Sequence, residues 1–183
     1  MSIPDLNEKI VFITGAAAGI GYETALAFAE AGSLVIATDL SKEALSTLAA
    51  EMDRRHLSCC TYALDVTDRG AFFELAAYII CEIGCPDVIV NNAGIGYMGA
   101  FEDTSPEMWS MTLDINVMGV VNGCQAFLPA MKEGSSKKHI VNIASMASRT
   151  PVPNMASYAA SKFAVEGLSK TLSMELSLIK NVV

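Results

Sequence analysis

The stretch from Lys9 to Ala31 constrains the fold of this chain more than any other. The apolar run Lys9-Ile-Val-Phe-Ile-Thr14 leads into Gly15-Ala-Ala-Ala-Gly19-Ile-Gly21, and a helical pattern follows from Tyr22 to Ala31. The order is strand, glycine turn, helix. A helix N-terminus carries unpaired amides and a partial positive charge, which suit a pyrophosphate. Gly15 would allow the tight turn, Gly19 a close approach of backbone to phosphate, and Gly21 tight packing of helix on strand. The spacing is Gly-x-x-x-Gly-x-Gly rather than the usual Gly-x-Gly-x-x-Gly dinucleotide fingerprint, so a purely structural turn is the competing reading.

Strand and helix alternate along the rest of the chain. Strands fall near residues 9–14, 33–39, 58–64, 87–91 and 138–144, and helices near 19–31, 42–54, 68–83, 106–132 and 156–179. This predicts an α/β fold: one doubly wound parallel sheet, flanked by helices on both faces and joined by right-handed crossovers. The second strand, Ser33-Leu-Val-Ile-Ala-Thr-Asp39, ends on an acid 18 residues after Gly21. A carboxylate there accepts hydrogen bonds from the adenosine ribose and repels a 2′-phosphate, which favours NAD over NADP. Neither the glycine turn nor Leu40-Ser41 supplies an opposing Arg, although Lys42 is close. Asp39 could instead cap the following helix, as could Ser41.

Tyr158-Ala-Ala-Ser161-Lys162 sets a phenol and an ammonium one helical turn apart, on one face. A phenol is a poor base near neutral pH, its unperturbed pKa being about 10, and a neighbouring cation favours the phenolate. Tyr158 is therefore a candidate proton donor and acceptor, against the alternative of an ordinary exposed pair. Ser145 follows the strand-like run His139-Ile-Val-Asn-Ile-Ala144, so its hydroxyl could stand at a strand's C-terminal edge and orient a substrate oxygen. It could equally be a cap serine, with Ser148 nearby. Asn91-Asn92-Ala93-Gly94 closes the apolar strand from Asp87, where Gly94 lets backbone approach a ligand. Asn116 lies in an apolar helix pattern, where a polar amide is costly unless hydrogen-bonded.

With these elements in order, the chain resembles the short-chain dehydrogenase/reductase family. Thr14-Gly15-x-x-x-Gly19-Ile20-Gly21 is similar to its cofactor turn, Asn91-Asn92-Ala93-Gly94 to its fourth-strand motif, and Ser145 with Tyr158-x-x-x-Lys162 to its active site. The resemblance implies a Rossmann-fold oxidoreductase that moves hydride between NAD and an alcohol or ketone. Tyr158, Ser145, Lys162 and Asn116 would be its catalytic residues, with Asn116 completing a proton relay; a buried structural hydrogen bond is the other reading of Asn116. Gly15, Ala18, Gly19, Ile20, Gly21, Asp39, Leu40, Asn92, Ala93, Gly94, Tyr158 and Lys162 would hold the cofactor, with Asp65-Val66 at the adenine ring. Family members continue past the active-site helix into further strands and a substrate-covering loop. The resemblance thus implies that residues 1–183 form a single NAD-binding domain that is incomplete at its C-terminus, with Asn181-Val-Val183 opening a sixth strand.

Composition narrows the partners. The formal charge of −8 argues against nucleic acid. No run approaches the roughly 18 apolar residues of a membrane span, and the N-terminus, with Asp5 and Glu8, does not read as a signal peptide, so a cytoplasmic protein is expected. The five cysteines fit neither a disulfide framework nor a zinc spacing, and His56 and His139 do not suggest a metal. The helices near 106–132 and 156–179 are apolar nearly all round, which no single stripe explains, so their outer sides call for a partner subunit or a further segment, a monomer with apolar helices being the other reading. The family resemblance, in which these helices commonly form a subunit interface, implies a homo-oligomer. Two functions follow: an NAD(H)-dependent oxidoreductase acting on a small-molecule alcohol or ketone, or a cofactor-binding or interaction module without catalysis. Apolar residues in Ile95–Phe101 and Met146–Met155 suit a greasy substrate.

Overall fold

The computed structural model describes residues 6–133, 136–177 and 182–183. Alternation along its strands sorts apolar side chains onto the two faces of one sheet. In β1 (Ile10–Thr14), Val11 and Ile13 enter one core and Phe12 the other. Val35 and Ala37 of β2 (Leu34–Asp39), and Val88 and Val90 of β4 (Val88–Asn91), join the first set, whereas Ile36 and Ile89 join the second. The first core is covered by α1 (Gly19–Glu30) and α2 (Lys42–Arg54), through Ala25, Leu26, Leu48 and Met52. The second is covered by α3 (Arg69–Glu82), α5 (Gly119–Glu133) and α6 (Ala156–Leu176), with Phe12 packed 4.8 Å from the Phe127 ring and 5.9 Å from that of Phe72. Burying each such side chain contributes about 1.5–3 kcal/mol, so both faces are held by dry packing.

All five strands are parallel, in the order β3 (Cys59–Ala63), β2, β1, β4, β5 (His139–Asn142). The chain builds outward from β1 to β3 and then returns to lay β4 against the other side of β1. The connections leaving β1 and β4 therefore depart to opposite faces, opening a crevice at the strands' C-terminal ends. This is the doubly wound Rossmann arrangement that the sequence predicts. Among the described residues, no helix is long and apolar enough to cross a membrane.

The helix predicted over 106–132 is unbroken but not uniform: α4 (Pro106–Leu113) passes into a π-helical turn, Asp114–Met118, which runs directly into α5. The extra residue in that turn carries the fully buried Asn116. Just before β5, Lys138 is buried and paired with Asp87 at 3.1 Å, while it also donates to the Cys85 carbonyl. Residues 134–135 lie outside the described residues. The final helix is described to Leu176, so its expected extension over 178–179 lies outside them too, as does Asn181. Val182 bridges Lys138 in parallel, and Val183 exchanges hydrogen bonds with Lys138 and Ile140 at 2.9 Å, so these two residues do lie beside β5 as a strand would.

Candidate active site

The crevice is built first from backbone. Gly15 and Gly19 adopt φ of +62° and +52°, which L side chains rarely tolerate. A Cβ on Gly15 would also lie 2.8 Å from the Ala93 Cα, and one on Gly21 would overlap the Gly15 carbonyl oxygen. The expected roles of Gly15 in the turn and of Gly21 in packing follow directly, while nothing in the protein crowds Gly19. Thr14 then locks the two strand ends together: its Oγ1 accepts from the amides of Asn92 and Ala93, both at 3.1 Å. Asn92 Nδ2 donates in return to the carbonyls of Thr14 and Gly15, at 3.0 and 2.9 Å. At the start of α1, Ala18 offers no side-chain cap and the first turn holds no acid. The helix's leading amides are thus free to meet an anion.

Asp39 stands at the rim and spends both carboxylate oxygens on backbone. Oδ2 accepts from the Ala17 amide and Oδ1 from the Ser41 amide, each at 3.1 Å. Helix α2 is capped by Ser41, whose Oγ accepts from the Ala44 amide, so the capping alternative for Asp39 falls. Beyond it, a small hollow of about 190 Å³ is lined by Leu40, Asp65, Val66, Ala93 and Ile115. Asp65 Oδ1 accepts from the amide and hydroxyl of Thr67, and the Val66 carbonyl accepts from the buried Asn122, so the floor of this hollow is held from two sides.

The neighbouring cleft, about 680 Å³, brings together most of the residues singled out from sequence. Gly15, Ala18, Ile20, Asp39, Asn92, Ala93, Gly94, Ser145, Tyr158 and Lys162 all line it. The leucine at 40 and the Asp65-Val66 pair border the smaller hollow instead, which shares Gly15, Asp39, Ala93 and Gly94 with the larger one. Lys162 is buried; its Nζ donates to the Ile143 carbonyl at 2.7 Å and lies 5.8 Å from the Tyr158 ring centre. Burial pushes its pKa below the usual lysine value. Ser145 does cap a short turn, Met146–Ser148, by accepting from the Ala147 amide at 3.1 Å. That bond uses a lone pair and leaves the Ser145 O–H free to donate. Both sequence readings of Ser145 are compatible in one geometry.

Asn116 does not line the cleft, yet it shapes it. Its Oδ1 accepts from the Ile95 amide at 2.8 Å, and its Nδ2 donates to the Ile95 carbonyl and to Ser161 Oγ, both at 2.9 Å. Gly94 sits between it and the ammonium: a Cβ there would lie 3.1 Å from Asn116 Oδ1 and 3.6 Å from Lys162 Nζ. Sequence reasoning missed Thr14, Ser161 and Asn122. Thr14 ends the first strand where its hydroxyl must face the next motif; Ser161 and Asn122 carry no local signal, since their partners are far along the chain.

Comparison with known proteins points to one family. The profile of the family described as short chain dehydrogenase matches residues 9–182. A probable oxidoreductase, EphD, of Mycobacterium tuberculosis is 41% identical over 170 residues; the match takes in 93% of this chain and spans 29% of that protein's length. A short chain dehydrogenase/reductase from Burkholderia phymatum, solved in complex with NAD, superposes with a TM-score of 0.94 at 30% identity, covering 98% of this chain and 64% of that one. A gluconate 5-dehydrogenase from Burkholderia cenocepacia, solved with NADP and tartrate, superposes with a TM-score of 0.89 at 28% identity, covering 96% and 68%.

Asn116 gives a direct check on the site's construction. Asn116→Ala removes the side-chain partner of the half-buried Ile95 amide and carbonyl, at roughly 1–3 kcal/mol for each group that water does not reach. Urea unfolding should therefore show a loss of at least about 1 kcal/mol and at most about 6 kcal/mol. A change under about 0.5 kcal/mol would mean that the π turn does not hold Ile95 in place.

Proposed function

The chain belongs to the short-chain dehydrogenase family, whose members use nicotinamide cofactors, and on that premise we propose that it is an NAD(H)-dependent oxidoreductase interconverting a secondary alcohol and a ketone. The observation that carries the proposal is one cleft in which an uncapped helix N-terminus, a glycine cradle and the Ser145, Tyr158 and Lys162 side chains meet. Residues Gly15 to Gly21 and the leading amides of α1 suit the cofactor's diphosphate. Asp39 suits the adenosine ribose and disfavours a 2′-phosphate, which supports NAD, while Leu40, Asp65 and Val66 flank the base. When bound, the nicotinamide supplies the hydride acceptor or donor.

The chain's own groups handle the oxygen and its proton. Ser145 donates its free O–H to the substrate oxygen and orients the reacting carbon. Tyr158 gives or takes the hydroxyl proton, with the Lys162 ammonium 5.8 Å from its ring centre on the same helix. Two of the three Lys162 N–H groups remain for the nicotinamide ribose after the bond to Ile143. Asn116, gathered with Lys162 around Gly94, completes the path by which the proton reaches water. Met155 lines the cleft wall, and Met98, Phe101 and Met146 on the flanking segments are exposed, which supports a substrate with an apolar body. We place the protein in the cytoplasm, where thiols such as its five free cysteines persist; fractionation finding it in an oxidising compartment would correct this.

A screen of ketones with NADH, followed by Tyr158→Phe, tests the mechanism. General acid–base catalysis typically contributes about 10²–10⁴-fold, so kcat should fall by at least about a hundredfold with cofactor affinity preserved. Unchanged turnover would remove Tyr158 from the mechanism, whereas cofactor binding with no turnover of any ketone would leave the cofactor-binding module as the reading.

The same proposal includes a homo-oligomer through α5 and α6. A groove of about 430 Å³ runs between their outer faces, lined by Val121, Cys124, Leu128, Leu168 and Leu172, while Phe163 and Met174 of α6 are exposed. Sedimentation should find a dimer or larger species that Leu168→Glu or Leu172→Glu dissociates. A monomer at micromolar concentration would contradict it.

A further inference from the structure

The segment that carries Ser145 is fastened to α6 on both sides of the serine. Upstream, Asn142 Nδ2 donates to Ser169 Oγ at 3.0 Å and Lys162 Nζ donates to the Ile143 carbonyl at 2.7 Å. Downstream, Ser148 Oγ lies 2.6 Å from Glu166 Oε2 and also 2.6 Å from the Ser145 carbonyl oxygen. Tyr158, Lys162 and Glu166 follow one another at intervals of four, so they share one face of α6. The helix that presents the phenol and the ammonium thus also grips the turn behind the serine. Ser148 is only 4% exposed. Glu166 is itself fixed, because its other oxygen, Oε1, accepts from Lys170 Nζ at 2.6 Å and has Arg149 Nε at 3.6 Å.

Resting on the reading of Ser145 and Tyr158 as the pair that handles the substrate oxygen, we propose that Glu166 is a positioning residue for that reaction, setting through Ser148 where Ser145 stands relative to Tyr158. The turn transmits the constraint as one piece. Ser145 Oγ takes the Ala147 amide, and the Ser145 carbonyl takes both the Ser148 amide, at 3.1 Å, and the Ser148 hydroxyl. The Ser148 hydroxyl has one hydrogen for two acceptors; the charged Glu166 carboxylate is the stronger, so the hydrogen is directed to α6 while the Ser148 amide keeps the Ser145 carbonyl. Without the carboxylate, the segment keeps its upstream ties to α6 at Asn142 and Ile143 and loses the one downstream of the serine, so Ser145 gains freedom at the point where its O–H must be aimed.

The test compares Glu166→Leu and Glu166→Gln in the otherwise native chain and in Ser145→Ala, measuring kcat and KM with NADH and the best ketone of the screen. Misplacing a substrate-orienting group costs roughly tenfold to a hundredfold, so Glu166→Leu should lower kcat by that factor while leaving KM for the cofactor unchanged. Glu166→Gln keeps an acceptor oxygen for Ser148 and should recover most of the rate. In the Ser145→Ala background, Glu166→Leu should cost nothing further, since a positioning residue has lost what it positions. An equal fold-loss in both backgrounds would show a merely structural role and overturn the proposal. Native kcat in Glu166→Leu beside an impaired Ser145→Ala would overturn it while leaving the proposed function standing. Native kcat in Ser145→Ala would overturn both. Amide hydrogen exchange decides independently of turnover: the Ser148 amide should exchange at least about tenfold faster in Glu166→Leu with sheet amides unchanged, and undiminished protection would overturn the proposal.

Discussion

Everything in this molecule depends on how closely the ends of β1 and β4 approach each other. Gly15 sits so near Ala93 that no side chain fits between them, and Thr14 and Asn92 bind that contact with four hydrogen bonds. Because the chain reverses its direction of sheet growth between these two strands, the same contact is also the base of the crevice. The glycine turn, the free amides of α1 and the Asn92-Ala93-Gly94 backbone are brought together by one junction.

The electrostatics of that junction run against those of the whole chain. A formal charge of −8 would repel an anionic ligand at long range, yet such repulsion is screened over about 8–10 Å at ordinary ionic strength. Inside the crevice the near field is set by unpaired helix amides and by the buried Lys162 ammonium, and at contact distance these outweigh diffuse surface charge. In the proposed function Asp39 would add discrimination rather than attraction. Its oxygens are held by the Ala17 and Ser41 amides, so it is a rigid carboxylate aimed at one part of the site.

The sequence makes the sheet legible because each strand is a short apolar run with period-two sorting, and it makes the crevice legible because three glycines and an acid fall at fixed offsets from strand ends. What it hides are features whose cause is a distant partner. The π turn is invisible in an apolar helix pattern, since an inserted residue shifts the register without changing composition; only Asn116, a costly amide in a greasy stretch, marks the place. Lys138 reads as a solvated linker residue until Asp87, 51 positions away, is found beside it. Glu166, with Lys170 four residues on, reads as an ordinary exposed helix pair, and nothing local announces that its second oxygen reaches Ser148.

The central claim is that the junction of β1 and β4 forms a nicotinamide dinucleotide site with a carboxylate that selects NAD. Titrating the purified chain with NADH and with NADPH, followed by energy transfer from Trp109 to the reduced nicotinamide, tests it most directly. The account predicts saturable binding that prefers NADH and is lost in Gly94→Val, whose side chain would crowd Asn116 and Lys162. A folded chain that binds neither nucleotide, or that prefers NADPH, would contradict it.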